Sequence, residues 1–387
     1  MVKNNIVVIP FNLPWEWSTD YTNQTAFVLS KENVVICYMA HEARSIKESL
    51  KKGKIPSLIR KISANLYTFE PIYLVPFRRF NIITKLNSSL NILFLKLFIL
   101  LLKIRFKTNK KIMWIFDPDL YHICLALGKS FYVIYDCVDY FAAAHPKRKK
   151  EVLRKERLLL ARANLIVAIS KVLQRHLSQM TAKRVHLVPQ GFRIKDFKNI
   201  GTPPRIIKRE NPVIGFAGGV NTRINYDLLL SLAKKKSRWD FVVWGPILEK
   251  ERFDEKTRSK FEKLISLPNV ITGEVQKREQ IPSILKQFDV AMIPYDSSQD
   301  FNRYCYPMKI FEFFYLGKPT VSTYIEELER FPKYIKISDS LAGWEKIIKT
   351  FLSRPWPKEY QRQQRKLAEQ NSWNEKIKSI LARLTHE

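Results

Sequence analysis

Short apolar runs alternate with charged, helix-like segments along most of this chain, and this alternation limits its fold more than any other feature. In the second half, the apolar runs 212–220, 241–245 and 290–294 are separated by segments such as 254–266, which has the pattern of an amphipathic helix. Strands joined through helices lie parallel in one sheet, with helices on both of its faces. The pattern therefore predicts an α/β protein with doubly wound sheets, and 387 residues are enough for two such domains.

A segment rich in proline separates the two halves of this alternation. Residues 199–212 hold one glycine and three prolines in a basic setting, and a loop of that composition between strand patterns is typical of a domain boundary. We predict a first domain over 1–200, a second over 201–357, and a C-terminal segment over 358–387 formed mainly by one charged helix at 361–384.

The net charge of the chain is strongly positive, and the excess lies mainly in the first half. The formal charge is +31, and residues 1–200 contain 34 basic and 13 acidic residues. Such a field attracts polyanions, either nucleic acid or an anionic membrane surface. The apolar run 82–106 with its basic flanks is typical of a helix lying in a membrane surface, although a crossover helix packed on the sheet explains it equally well. Charges at Lys96, Lys103 and Arg105 interrupt the run, so no transmembrane helix is predicted.

The N-terminus and the cysteines predict a location inside the cell. Residues 1–5 lead directly into the apolar run 6–10 without the cleavage site of a secretory signal. The four cysteines show neither a Cys-x-x-Cys pair nor zinc-like spacing, which fits a reducing compartment where thiols are small buried side chains.

The stretch 304–323 carries the clearest chemical pattern. Pro307 precedes a helical segment, and Gly317 followed by Lys and Pro ends it. Lys309 and Glu312 are three positions apart, so they share one face of that helix near its start. A cation and a carboxylate placed there suit an anionic ligand that also carries hydroxyls. A salt-bridged surface turn accounts for the same two residues.

A glycine-rich loop stands at the start of the second half. Gly218 and Gly219 follow the apolar run at 212–217, and glycines let backbone N–H groups approach an oxyanion closely. Arg223 in the same loop offers a planar fork that matches phosphate. Combined with the Lys309 and Glu312 helix further along the chain, this loop predicts a site for a phosphate-bearing ligand.

Candidate residues in the first half are two carboxylates and two tryptophans. Asp136 and Asp139 follow the apolar run 131–135, at the strand end where α/β sheets present reactive groups, although a helix-capping role also explains Asp139. Trp15 and Trp17 follow the first strand pattern. They are suited to stacking on a sugar, to lying in a lipid headgroup layer, or to packing under the next helix.

Asp117 and Asp119 form an Asp-x-Asp pair, which has the spacing of a metal-binding motif. The intervening proline and the apolar residues that follow favour a strand-to-helix turn in which Asp119 is the cap. We therefore predict no metal site.

The pattern Pro307-x-Lys309-x-x-Glu312 before Gly-Lys-Pro resembles the nucleotide-sugar helix of GT-B glycosyltransferases of the glycosyltransferase 4, or group 1, type. Residues 131–192 and 212–323 carry this resemblance most specifically. It implies two Rossmann-like domains that face each other across a cleft, with a terminal helix that crosses back to the first. It also implies that Glu312 binds the ribose hydroxyls of the donor and that Lys309 lies near its diphosphate. Tyr304 stands where many relatives have a second glutamate.

The resemblance implies a hexosyltransferase-type enzyme that moves a sugar from a UDP- or GDP-type donor to a lipid-linked or polysaccharide acceptor, with retention, in cell-envelope synthesis. Gly218, Gly219, Arg223 and Lys309 would hold the diphosphate without a metal or cofactor. The acceptor would approach from the first domain, near Asp136 and Asp139 and the two tryptophans. The enzyme would be cytoplasmic and peripheral at the inner face of the cell membrane, whose anionic surface would be a partner.

Two alternatives remain at this point. A sugar-nucleotide epimerase of the same fold would use the same donor pocket, but it would not need the basic first half. A nucleic-acid-binding protein would explain the charge, but it would leave the glycine loop and the Lys309 and Glu312 helix unexplained, and no recognised nucleic-acid-binding motif is present. Nucleic acid is therefore not expected as a partner.

Overall fold

The computed structural model describes residues 4–12, 15, 21–40, 44–45, 57–75, 80–202, 210–248, 253–273 and 278–384. The chain folds into two compact units. Unit 1 comprises Met1–Gln190 with Trp373–Glu387, and unit 2 comprises Gly191–Ser372. The sequence prediction placed the change of domain after residue 200 and the C-terminal segment from residue 358.

Unit 1 is built on a sheet of eight strands in the order β10-β9-β8-β7-β1-β2-β5-β4. Neighbouring strands are parallel, except for the antiparallel pair β4 and β5. A separate parallel pair joins β3 and β6. The strands are β1 Ile6–Phe11, β2 Val34–Met39, β3 Arg44–Ser45, β4 Ile59–Ser63, β5 Leu66–Phe69, β6 Ile72–Tyr73, β7 Lys111–Ile115, β8 Tyr132–Cys137, β9 Leu165–Ala168 and β10 Val185–Leu187.

The central strands of unit 1 read as unbroken apolar runs because helices cover both faces of the sheet. All six residues of β1 and of β2 are buried. The helices of this unit are α1 Tyr21–Leu29, α2 Asn81–Phe106, α3 Tyr121–Leu127, α4 Phe141–Ala144, α5 Lys149–Arg162, α6 Lys171–Ser178 and, from the end of the chain, α15 Trp373–Arg383. Short 3₁₀ helices span Pro118–Leu120 and Pro146–Arg148.

Unit 2 has six parallel strands in the order β13-β12-β11-β14-β15-β16. This is the doubly wound order 3-2-1-4-5-6, in which the direction of winding reverses between the first and fourth strands. The predicted doubly wound α/β architecture is thus confirmed. The strands are β11 Val213–Ala217, β12 Asp240–Trp244, β13 Val270–Gly273, β14 Val290–Ile293, β15 Thr320–Ser322 and β16 Ile335–Ile337.

The helices of unit 2 include one element that was predicted wrongly. They are α7 Lys195–Lys198, α8 Tyr226–Lys235, α9 Glu255–Ile265, α10 Ile281–Lys286, α11 Asp300–Arg303, α12 Lys309–Tyr315, α13 Leu341–Leu352 and α14 Lys358–Gln370, with 3₁₀ helices at Arg278–Gln280 and Glu326–Arg330. The single helix expected over 361–384 is two helices, α14 and α15, which belong to different units. The break lies at Asn371, whose carbonyl accepts a hydrogen bond from the Phe192 N–H at 2.7 Å and is thereby lost to the helix ladder.

Candidate functional site

The residues predicted to bind a phosphate-bearing ligand lie around the point of unit 2 where the winding of the sheet reverses. β11 and β14 are neighbours there. Gly218 and Gly219 follow β11, and Tyr295 follows β14. In open α/β sheets, ligands bind outside the carboxyl ends of the strands at this switch point. The topology alone therefore selects the glycine loop and the loop after β14 as the place to look for a site.

The glycine loop is packed tightly against the loop that follows β12. Gly218 has φ 149° and Gly245 has φ 146°, a region in which residues with a Cβ are strained. A Cβ on Gly245 would lie 2.1 Å from the carbonyl oxygen of Gly218. The Gly218 N–H donates to the Trp244 carbonyl at 2.9 Å, so this amide is not the oxyanion donor that the sequence predicted. The glycines serve close loop packing and leave room for a side chain.

That side chain is Lys309, which lies at the start of α12. Its Nζ would be 3.2 Å from a Cβ on Gly218, so the missing side chain at 218 makes space for the ammonium group. Nζ donates to the Tyr295 Oη at 2.6 Å and lies 4.9 Å from the ring centroid of Phe216. Within the described residues, no carboxylate is in ion-pair contact with Lys309. Its positive charge is therefore held by a phenol and by aromatic faces, and it stays unneutralised.

Arg223 contacts the same tyrosine from another direction. Its guanidinium carbon is 4.6 Å from the ring centroids of both Tyr295 and Phe301. The Nε–H donates to the Asn302 Oδ1 at 2.7 Å, and the Asn302 amide donates back to the Arg223 carbonyl at 3.1 Å. Asn302 is fully buried, so it holds the arginine in one orientation. Tyr295 thus brings Lys309 and Arg223 together on one ring.

Glu312 lies one turn further along α12 and belongs to a second cluster. Its Oε1 is 3.0 Å from the Nη2 of Arg278, and the Nε of Arg278 is 2.9 Å from the Oδ2 of Asp196. The Glu312 side chain is 13% exposed. A carboxylate has about four lone-pair sites, so one ion pair leaves acceptor capacity for ligand hydroxyls. The structure therefore gives Glu312 an arginine partner that orients it.

The remaining donor-site candidate, Tyr304, follows α11 directly. Its backbone N–H donates to the Asp300 carbonyl at 3.1 Å, and the side chain is half-buried. The contacts of the switch-point cluster described above do not include it, and its role in donor binding stays a prediction.

In unit 1, Asp136 is buried inside a closed polar cluster. It has 0% exposure and accepts a hydrogen bond from the Trp114 indole at 3.3 Å. The Lys376 Nζ lies 3.1 Å from the carboxylate and donates to the Gln190 Oε1 at 3.0 Å. Burial raises the pKa of Asp136, although the Lys376 ammonium opposes this shift. Burial lowers the pKa of Lys376. These contacts favour a structural role over the predicted catalytic one.

The other unit 1 candidates are placed as follows. Asp139 is half-buried two residues after the end of β8, and its carbonyl accepts a weak contact from the Cys137 thiol at 3.5 Å. Trp15 packs against Phe11 and Phe27, with ring centroids 5.9 and 5.6 Å away, which matches the expectation that it packs under the next helix. Trp17 lies outside the described residues. The roles of all three in acceptor binding stay predictions.

The Asp-x-Asp pair forms a turn, but with the capping residue reversed. Asp117, not Asp119, caps the 3₁₀ helix Pro118–Leu120, and its Oδ1 accepts from the Asp119 N–H at 2.8 Å. The Asp119 carboxylate instead pairs with Arg148 at 2.9 Å and Lys155 at 2.8 Å. Among the residues that the structure describes, no group of three or more His, Cys, Asp or Glu side chains is placed to hold a metal ion.

Comparison with known proteins shows where this architecture belongs. No family model matches the sequence. A Bacillus subtilis (strain 168) protein, "Putative teichuronic acid biosynthesis glycosyltransferase TuaH", is 30% identical over 274 residues, which cover 64% of this chain and 66% of that relative. Sucrose-phosphate synthase from Thermosynechococcus elongatus superimposes with a TM-score of 0.72 at 12% identity, covering 99% of this chain and 98% of that one. The chain has the GT-B fold.

Two further structures share the GT-B fold over almost the whole chain. Anabaena HepE in complex with UDP and glucose has a TM-score of 0.66 at 14% identity, covering 97% of this chain and 99% of that one. An α,α-trehalose-phosphate synthase (UDP-forming) from Burkholderia vietnamiensis has a TM-score of 0.67 at 9% identity, covering 100% and 99%. The predicted resemblance to GT-B glycosyltransferases is therefore confirmed: the chain shares their fold, and it is 30% identical to one glycosyltransferase relative over 66% of that relative's length.

Sequence reasoning missed the residues that organise both clusters in unit 2. Tyr295 could have been found, since it follows a predicted strand at the carboxyl edge of the sheet, where ligand contacts concentrate. Arg278 and Asp196 gave no signal, because their relation to Glu312 depends on segments 34 and more residues away along the chain. The same is true of Lys376, which meets Asp136 across a separation of 240 residues.

Proposed function

We propose that this protein transfers a sugar from a nucleoside diphosphate donor, of the UDP type, to a membrane-associated acceptor. The observation that carries the proposal is the pair of cations, Lys309 and Arg223, held on Tyr295 at the switch point of unit 2. Structures of the neighbour HepE contain UDP with glucose, or UDP-glucose, which supports a donor of that kind. The 30% identity with a glycosyltransferase relative supports the transfer reaction.

The reaction that this site supports depends on charge and position. A nucleoside diphosphate is already a good leaving group, so the protein's main tasks are to stabilise its developing charge and to position the acceptor hydroxyl. Lys309 and Arg223 stabilise the departing diphosphate, and Glu312, oriented by Arg278, accepts hydrogen bonds from the ribose hydroxyls. We propose retention at the anomeric carbon, with the leaving phosphate as acceptor of the proton from the attacking hydroxyl.

Release of free nucleoside diphosphate is the direct test. The protein is incubated with a panel of UDP- and GDP-sugars, with and without membrane lipid extract, and the free diphosphate is quantified. We expect diphosphate release from one donor, and we expect membrane lipid to stimulate this release. The Lys309→Met variant should lose the release from that donor. If no donor is consumed and UDP does not bind, the proposal fails. Conversion of one sugar nucleotide into another without release of diphosphate would indicate a sugar-nucleotide epimerase instead. The relatives of this chain are named as transferases and synthases, which does not favour that alternative.

The membrane part of the proposal rests on helix α2, which exposes an apolar stripe to solvent. We define the apolar stripe as Ile82, Leu86, Leu93, Leu97, Leu100, Leu101 and Ile104, which are 46–81% exposed. These positions recur at helical spacing and so form one continuous face. Lys85, Lys96 and Lys103 recur along one side of this face. An apolar face bordered by lysines is suited to lying in an anionic membrane surface.

The opposite face of α2 attaches the helix to unit 1 without help from the stripe. Asn91 donates to the Ile72 carbonyl at 2.8 Å and accepts from its N–H at 2.9 Å. Asn87 accepts from the Leu74 and Val75 N–H groups at 2.9 Å. Leu95 is fully buried. In the described residues, no helix is long and apolar enough to span a bilayer.

Vesicle co-sedimentation tests the membrane proposal. The protein is mixed with anionic or neutral vesicles at two salt concentrations. Binding to anionic vesicles should weaken with salt, because exposed charges are screened beyond roughly 8 Å at 0.15 M. Leu97→Ser with Leu101→Ser should reduce binding at both salts and leave the free energy of unfolding within about 0.5 kcal/mol. Binding to nucleic acid but not to anionic vesicles would assign the charge to nucleic acid instead.

A further inference from the structure

Unit 1 contains a cavity between helices α2 and α3 that the donor site does not use. Its volume is about 390 Å³, and Tyr38 of β2 is one of its lining residues. Cavities of this order, a few hundred Å³, commonly bind small molecules. Its apolar walls are Ile92 and Leu93 from α2 together with Ile123 and Ala126 from α3.

The polar side chains that line the cavity are of the types that bind anions through hydrogen-bond donation. Ser88, Ser89 and Lys96 line it from α2, and His122 lines it from α3. Lys96 offers an ammonium group as donor, and the serine hydroxyls can donate as well. No carboxylate lies among the lining residues. No lining side chain therefore carries a negative charge that would repel an anionic ligand, and Lys96, Ser88 and Ser89 can each donate a hydrogen bond.

The orientation of His122 is fixed by the turn that precedes α3. Its Nδ1 is 2.9 Å from the Asp119 carbonyl oxygen. Because a carbonyl only accepts hydrogen bonds, Nδ1 carries a proton and donates it, which leaves Nε2 for a ligand. In the neutral ring Nε2 accepts a hydrogen bond, and the protonated oxygen of a phosphate monoester can donate one. The Asp119 carboxylate is occupied by Arg148 and Lys155, so it does not compete for His122.

The cavity is continuous with the apolar stripe. Leu93 lines the cavity and is also 51% exposed as a member of the stripe. A ligand whose charged group sits among Lys96, Ser88 and His122 would therefore extend an apolar chain along α2. A free phosphate would contact only the polar side chains, whereas a phospholipid or another lipid phosphate would contact both the polar side chains and the apolar stripe. We propose that this cavity binds the phosphate headgroup of a membrane lipid while the lipid chains lie against the stripe.

This inference rests on the membrane docking in the proposed function and adds a specific headgroup site to it. It makes Lys96 different from the other lysines of α2. Lys103 lies seven residues away on the same side of the helix and does not line the cavity. Both substitutions to glutamine remove one charge, so general attraction to an anionic surface weakens equally. Only Lys96→Gln also removes a headgroup contact.

The test is vesicle binding at a salt concentration that suppresses general electrostatic attraction, using vesicles with phosphatidic acid or, at equal charge, phosphatidylserine. We expect the wild type to prefer phosphatidic acid, whose terminal phosphate monoester fits the donors. We expect Lys96→Gln to lose about tenfold in affinity for it and Lys103→Gln to lose clearly less. Ser88→Leu, which fills the cavity without a change of charge, should abolish the preference. Equal losses in Lys96→Gln and Lys103→Gln would overturn the headgroup site.

Two control measurements separate the possible sources of failure. Titration with inorganic phosphate should give binding far weaker than to the lipid; equally tight, Lys96-dependent binding would make this a free-phosphate site and overturn the proposal. UDP affinity should be the same in Lys96→Gln and in the wild type, since the donor cluster lies in unit 2. Loss of UDP binding in the wild type would instead count against the proposed function.

Discussion

Each unit carries a charged cluster at the carboxyl ends of parallel strands, but the two clusters differ in burial and in charge balance. In unit 1, Asp136 and Lys376 neutralise each other at 0% and 1% side-chain exposure. In unit 2, Lys309 is half-buried and is held by Tyr295, and Arg223 lies on the same ring. A position at a strand end therefore does not decide function. A buried pair of opposite charges has no group to offer a ligand, whereas Lys309, which has no ion-pair partner among the described residues, has a positive charge available to an anion.

Removal of one member of the unit 1 pair should give the largest effect. Lys376→Met leaves the Asp136 carboxylate buried without its counter-charge, which costs about 3–5 kcal/mol in the free energy of unfolding. Urea denaturation followed by circular dichroism measures it. The double variant Asp136→Asn with Lys376→Met should recover much of the loss, because neither buried group is then charged. Lys378→Met, at an exposed position of the same helix, is the matched control. A loss of less than 1 kcal/mol in Lys376→Met would show that the pair is not structural.

The equivalent substitution in unit 2 should leave the free energy of unfolding unchanged and weaken ligand binding. Lys309→Met is expected to lower UDP affinity by about 1.5–3 kcal/mol, the usual range for a hydrogen bond to a charged group. Isothermal calorimetry gives the affinity, and Lys263→Met, an exposed lysine of α9, is the control. If Lys309→Met destabilises the protein as strongly as Lys376→Met, the contrast between the clusters is wrong.

Glu312 tests whether the second cluster of unit 2 contacts the nucleoside. Glu312→Ala should weaken sugar-nucleotide binding by about 1–3 kcal/mol through the loss of charge-assisted bonds to two ribose hydroxyls. Comparison of ribose and 2′-deoxyribose nucleotides sharpens the test, since the variant should discriminate between them less than the wild type does. Glu262→Ala on α9 supplies a surface control. Unchanged affinity in Glu312→Ala would limit this residue to its ion pair with Arg278.

Chelation should have the smallest effect. Because we propose that Lys309 and Arg223 supply positive charge to the diphosphate, turnover in EDTA is expected to match turnover in buffer. The assay is diphosphate release with and without the chelator, followed by addition of magnesium or manganese. Loss in EDTA that a metal restores would contradict the expectation and direct attention to carboxylates near the donor.

Features of the fold that depend on local pattern could be predicted from the amino-acid sequence. Alternating apolar runs predicted the parallel strands, for example 290–294, where β14 Val290–Ile293 is observed. The helix stop at Gly317 was also predicted, and there φ is 64°, a conformation that favours glycine. The resemblance around Lys309 and Glu312 led to the GT-B fold. These features follow from the period of a strand or helix and from backbone geometry, which neighbouring residues specify.

Which of the polar residues are available to a ligand could not be predicted in this way, because it depends on tertiary contacts. Asp136 and Lys309 look alike in the sequence, since each is a charged residue next to an apolar run. The difference arises because Lys376 arrives at Asp136 from 240 residues away, while Lys309 meets a phenol and a space left by Gly218. The break at Asn371 is of the same kind, because the Phe192 N–H that ends α14 comes from a distant segment. Burial and pairing are properties of contacts between distant segments, and a local pattern does not contain them.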